Sequence, residues 1–276
     1  MQPDAFFLFA TQLATGVSGV LCLVPLQRIG RRFFVLMSLV ALVFLTLALV
    51  SRGVETGYAH VACAAFLIGY NVVLPRQASD PGPRGTSSKT GPTRLALGAA
   101  FVLLLCATAS GVVGQSLAAS DFGSEAERLP PALVASAFVS SSALLGAALV
   151  AMVLGHWYLV ARGLSFAPLR RLTGVLALAL IVRLALSAAT LSLQRPVWAR
   201  MMDEMGASGF FLADGIFVIA RIVVGLLAPL ILVKLVWDCL KVESNQSATG
   251  ILYVIVAFVL IGELLAKHYL ASGLIL

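Results

Sequence analysis

In the apolar run LIGELLAKHYL, residues 260–270, a carboxylate (Glu263), an ammonium (Lys267) and an imidazole (His268) stand among leucines. These three types can exchange protons and hold a polar headgroup by charge-assisted hydrogen bonds. In a bilayer they are costly: a charge at the centre of a membrane helix costs from about 2.5 kcal/mol upwards, so it turns toward protein or a polar cavity. Arg183, Asp214 and Arg221 interrupt two other apolar runs, and His60 and His156 lie near the ends of two more. Glu263 and Lys267 have i,i+4 spacing and can pair on one helix, whereas Asp214 and Arg221, seven apart, share a face beyond direct reach.

Other chemistries find no pattern. Cys22, Cys63, Cys106 and Cys239 stand singly, with no CxxC pair, so no disulfide framework, zinc site or iron–sulfur site is expected and the thiols read as small packing groups. The segment GVVGQS has neither the lysine nor the strand of a phosphate-binding loop, and the serines lack a nearby histidine and acid. Haem b would need two histidines at matching depth. Only His60 and His268 satisfy that, and no CxxCH is present for covalent attachment. His156, within GHWYLVARG, could serve a quinone oxygen or a haem, but Trp157 and Tyr158 beside it fit an interfacial aromatic belt.

The elements that must position these groups are membrane helices. Of 276 residues 60% are hydrophobic and 11% charged, with a mean hydropathy of +1.01, against roughly 25% charged in globular chains. Apolar runs of about 20 residues, the length that crosses hydrocarbon, fall near 5–24, 33–50, 56–74, 95–117, 133–161, 168–192, 209–237 and 248–270. The expected fold is therefore an all-α bundle of eight transmembrane helices forming one polytopic domain over 1–276. The first run lacks a basic leader and is expected to be retained. The Pro/Gly/Ser-rich stretch 75–94 reads as a cytoplasmic loop, and the bundle could form two four-helix groups, 1–74 plus 95–117 as one and 133–276 as the other. Pro229 is expected to kink span seven, and Ser247 or Thr249 to cap span eight.

Charge sets the orientation. Twelve basic residues, among them Arg31, Arg32, Arg76, Arg84, Arg162, Arg170, Arg171, Lys234 and Lys241, fall on one side of the eight spans and five on the other. By the positive-inside rule the first side is cytoplasmic, so both termini face the outer, periplasmic side of a bacterial cytoplasmic (inner) membrane. The net charge of +7 is explained by this asymmetry, without nucleic acid as a partner. At about 1.5 Å per residue, His60, Arg183, Asp214, Arg221, Glu263 and Lys267 share the outer half of the bilayer, with His268 at its edge.

Two stretches resemble the membrane-anchor subunits of dimethyl sulfoxide reductase and polysulfide reductase complexes. One is FFLFATQLATGVSGVLCL, with Phe9, Gln12, Ala14 and Gly16; the other is VAFVLIGELLAKHYL, where Gly262, Glu263 and Leu264 resemble a recurrent Gly-Glu-Leu and Lys267 stands where an arginine is usual. The resemblance implies eight spans, both termini outside, menaquinone or ubiquinone handled near the outer face, and partner iron–sulfur and molybdenum-bearing catalytic subunits. The histidine stretch of helix two in that family has no counterpart in LALVSRGVETGYAH; His60 lies in the following run.

Three functions are thereby open. The charges serve a quinone-reactive anchor of a respiratory oxidoreductase; or they line the path of a transporter or channel subunit; or they are internal ion pairs of a structural subunit in a larger redox or pigment assembly, with Lys267 and His268 snorkelling to the surface.

Overall fold

The computed structural model describes residues 5–25, 29–52, 61, 64, 65, 67, 68, 130–161 and 165–271. Among the described residues there are only helices: α1 Ala5–Leu23, α2 Arg31–Arg52, α3 Pro131–Val160, α4 Ala167–Leu193, α5 Arg195–Phe210, α6 Ile216–Ile222, α7 Ala228–Lys241 and α8 Asn245–Ala271. Among the described residues six helical runs are long and apolar enough to cross a membrane, with α5, α6 and α7 falling in one run of 47 residues. The span expected at 95–117 and the linker at 75–94 lie outside the described residues, as does nearly all of 56–74.

Helix α1 is the centre of the bundle. It packs against α2, α3 and α8, and its polar Gln12, Thr15 and Ser18 are buried with its apolar residues. The hydroxyls that face this interior are spent locally, since Thr11, Thr15 and Ser18 each donate to the carbonyl four residues earlier. Where α1 crosses α3, Gly16 faces Gly146, and a Cβ on either would overlap the backbone of the other. Such contact lets two backbones approach within van der Waals distance, the main attraction available between helices in lipid. The opposite faces of α2, α4 and α7 expose Leu39, Val43, Leu178, Ile181, Ile231 and Leu235. A helix apolar on its outer face and packed on its inner one suits a bilayer as solvent.

The region between expected spans six and seven is helical. Forty-seven residues would extend about 70 Å if straight, more than twice the hydrocarbon thickness. The run is broken at Gly206, whose φ of 72° and ψ of 156° are non-helical. Helix α5, before that break, carries exposed Arg195, Arg200, Asp203 and Glu204 and has no fully buried residue. Its composition suits the interface plane rather than the hydrocarbon.

Two wide π turns, Phe211–Gly215 and Val223–Leu227, flank the seven residues of α6. Pro229 explains the position of the second: it has no N–H for the carbonyl of Gly225, and the looser turn just before it absorbs the fault expected there. The helix starts differ in how their first N–H groups are met. At α4 the Ser165 hydroxyl accepts from the Ala167 N–H at 3.3 Å, with proline in the first turn. At α8 the helix begins at Asn245, so Ser247 and Thr249 fall inside it, and Thr249 donates back to the Asn245 carbonyl at 2.8 Å.

Candidate functional site

Four of the eight residues singled out by sequence meet at one point. Glu263, on α8 and wholly enclosed, accepts on Oε1 from Arg221 Nη2 at 2.8 Å and from Arg183 Nε at 3.2 Å. Its Oε2 faces Lys267 Nζ at 3.0 Å, one turn on, and the hydroxyl of Ser141 from α3. Lys267 Nζ also donates to Ser141 Oγ at 2.9 Å. Gln12 of α1 completes the ring, its Oε1 lying 2.7 Å from the same hydroxyl. Five separate helices thus supply side chains to one carboxylate and one hydroxyl.

Local backbone makes this convergence possible. The second π turn crosses α8 at Gly225 and Gly262, so closely that a Cβ on either would strike the other's Cα. That approach brings Arg221 Nη1 over the crossing and its Nη2 to the carboxylate one residue beyond Gly262. The first π turn is clamped to the same helix, because Tyr269 donates its phenol to the Asp214 carbonyl at 2.8 Å. Arg221 therefore sits on a short helical segment tied to α8 at both ends. π turns of this kind recur where a side chain must be re-aimed.

Among the described residues the cluster has three cations to one carboxylate, a surplus of two positive charges. The Nε and Nη1 groups of Arg221 and the Nε2 group of Gln12 are buried with no hydrogen-bond partner there. Burial gives the unpartnered donors weight, since each such donor costs about 1–3 kcal/mol. The arrangement is suited to accept an electron-rich oxygen, neutral or anionic, on guanidinium N–H groups. Lys267 Nζ lies 5.9 Å from the centre of the Phe138 ring, which adds a further cation-directed contact.

The other expected site residues lie elsewhere. Lys267 does not snorkel: it is buried in the cluster, while His268 beside it is exposed against the edge of Tyr269. Asp214 contributes its backbone to Tyr269, and its half-buried side chain makes no ion pair with Arg221. Seven residues of helix span about 10 Å, so Glu263 of the crossing helix is the nearer acid. His156 is exposed and bonds Tyr253 through Nδ1 at 3.1 Å. His60 lies outside the described residues, and with it the haem pair His60–His268. Among the described residues no group of three or more histidine, cysteine, aspartate or glutamate side chains is placed to hold a metal.

Sequence reasoning missed Ser141, which joins Gln12, Glu263 and Lys267. The triplet Ser140-Ser141-Ser142 was legible only as small residues permitting close packing. Also missed was the continuation of the cluster along α4, where Ser187 and Thr190 follow Arg183 on one buried face and Gln194 ends it. Their spacing of four, three and four is the signal that would have found them.

Protein-family models, curated proteins and solved structures all give no match to the chain.

Proposed function

We propose that this chain is the membrane subunit of a respiratory oxidoreductase, and that its charged cluster receives the oxygen of a quinone or quinol headgroup while partner subunits exchange the electrons. The observation that carries the reading is Arg221: a buried guanidinium whose Nε and Nη1 groups have no hydrogen-bond partner among the described residues, bonded through Nη2 to a carboxylate that Arg183 and Lys267 also contact. A quinone carbonyl accepts those N–H groups, and negative charge developing on it during reduction or deprotonation offsets the surplus. A second support is that Gln12 and Glu263, one from each anchor-like stretch, reach the same hydroxyl of Ser141.

The structural-subunit reading has one observation of its own. Both oxygens of Glu263 are engaged, by Arg183 and Arg221 on one and by Ser141 and Lys267 on the other, as a pure tie between helices would require. Extraction of the complex purified from native membranes, with mass spectrometry of the lipid fraction and thermal-shift titration with a quinol analogue, separates the two. The redox reading expects quinone near one equivalent, and analogue binding weakened about tenfold or more in Arg221→Gln, as loss of a charge-assisted hydrogen bond dictates. Absence of quinone, together with no analogue-induced shift, would leave the cluster as a structural tie.

A further inference from the structure

At the far end of the bundle from α5, α4 begins and α7 ends side by side, and a half-open groove of about 250 Å³ between them is lined by Arg170, Trp237 and Lys241. Its chemistry is unlike that of the buried cluster. Arg170 is anchored, donating through Nη2 to the Leu240 carbonyl at 2.8 Å at the end of α7, a carbonyl that also accepts from the Glu243 N–H at 3.4 Å. Lys241 holds Asp238 on its own helix at 2.9 Å, and Asp238 also faces Lys234 at 3.6 Å. With exposed Arg171 next to Arg170, the rim among the described residues carries three cations, with Asp238 one turn in from Lys241 and Glu243 just past the end of α7 as acids.

Trp237 lies across the groove against Gly174 of α4, where a Cβ would stand 3.9 Å from the indole, and it is 40% exposed. Deeper along α4 the exposed residues Leu178 and Ile181 are apolar and follow Gly174 on one side of the helix, whereas on α7 exposed Lys234 follows Trp237 and the apolar Ile231 and Leu235 stand on another side. A basic rim, then an amphipathic indole, then an aliphatic wall reproduces the polarity of a phospholipid from phosphate through glycerol to acyl chain.

We propose that this groove binds one anionic phospholipid, with its phosphate on Arg170 and Lys241, its glycerol region against Trp237 and its chains along Leu178 and Ile181 of α4. Free phosphate would meet the cations but gain nothing from the indole and the aliphatic wall, so the lipid is the occupant the whole groove fits. The site is independent of the quinone reading, sharing no residue with the cluster.

Native mass spectrometry and thermal-shift measurements on the delipidated full chain test it. Phosphatidylglycerol, phosphatidylcholine of the same acyl chains, and inorganic phosphate are added separately. The expected result is one phosphatidylglycerol retained under activation that strips phosphatidylcholine, with a rise in Tm that phosphate alone does not give. Lys241→Gln should weaken retention about fivefold, the effect of one basic residue at an anionic membrane surface, and Trp237→Leu should weaken it too. Neither substitution removes a hydrogen bond between helices, unlike Arg170→Gln. Arg195→Gln on α5 should leave retention unchanged. Equal retention of both lipids, unchanged retention in Lys241→Gln and Trp237→Leu, or an equal shift with phosphate alone overturns the proposal.

Discussion

Charge balance decides which substitutions in the cluster are tolerated. Among the described residues Glu263 is the anion that three cations share, so Glu263→Gln removes their common partner from an enclosed interior. Breaking a buried pair by removing one partner costs about 3–5 kcal/mol, and Glu263→Gln should lie at or beyond the upper end. Lys267→Met acts in the opposite sense on net charge, lowering the surplus by one, and the thioether chain fills similar volume beside Phe138. Its loss of stability should be well under half that of Glu263→Gln, measured as the change in Tm of the purified proteins in one detergent. Equal losses would show that hydrogen bonding to Ser141, not charge balance, governs the site. The meeting of Glu263 with Arg183 and Arg221 was legible because ionisable groups in apolar runs have few ways to be solvated except by one another. Ser141 was not legible, because a serine is as ordinary in the interior of a packed helix as at a hydrogen-bonded hub. That Arg221 reaches Glu263 at a glycine crossing was not legible, since sequence shows neighbours along a chain and not the helix that crosses it.

Helices in this bundle approach backbone to backbone through glycine at two crossings, Gly16 with Gly146 and Gly225 with Gly262, while Gly250 faces open space, and the two kinds of position should respond with opposite sign. Gly16→Ala or Gly146→Ala forces α1 and α3 apart, because the added methyl group overlaps backbone, which cannot rotate away. Overpacking of this kind costs about 1–3 kcal/mol or more. Gly250, in the first turns of α8, has open space where its Cβ would stand, and Gly250→Ala should stabilise by up to about 1 kcal/mol through helix propensity alone. A paired thermal-shift series reads both signs, and destabilisation by Gly250→Ala would show a contact at that face. Hydropathy made the helices themselves plain, since lipid allows an isolated segment no other way to satisfy its backbone. It did not reveal α5, whose charged residues resemble a loop until the continuous helical run places them on the outside of a short amphipathic helix. Nor did it show that the break expected at Pro229 takes the form of a π turn, although Pro229 itself marks the place.

The sense in which the whole chain is threaded follows from the positions of charge. Starting α2 at Arg31 and Arg32, starting α4 at Arg170 and Arg171, and ending α7 at Lys241 puts three basic helix ends on one side only if 53–130 crosses the membrane an even number of times. Six spans in all and eight spans in all both satisfy that condition; seven would divide the basic ends between opposite faces, against the bias that retains Lys and Arg in the cytoplasm. The distribution of charge therefore predicts that a C-terminal fusion to alkaline phosphatase, after Leu276, is active in a bacterial host, and that a fusion at Ser244, just past α7, is inactive. A fluorescent protein that matures only in the cytoplasm should give the reverse pattern at the same two points. An inactive phosphatase at Leu276 with a fluorescent partner there would invert the threading, placing the Glu263 cluster toward the cytoplasmic leaflet and the Arg170–Lys241 groove toward the outer one. Quinone would then exchange protons with the cytoplasm, and the groove would draw its phospholipid from the opposite monolayer.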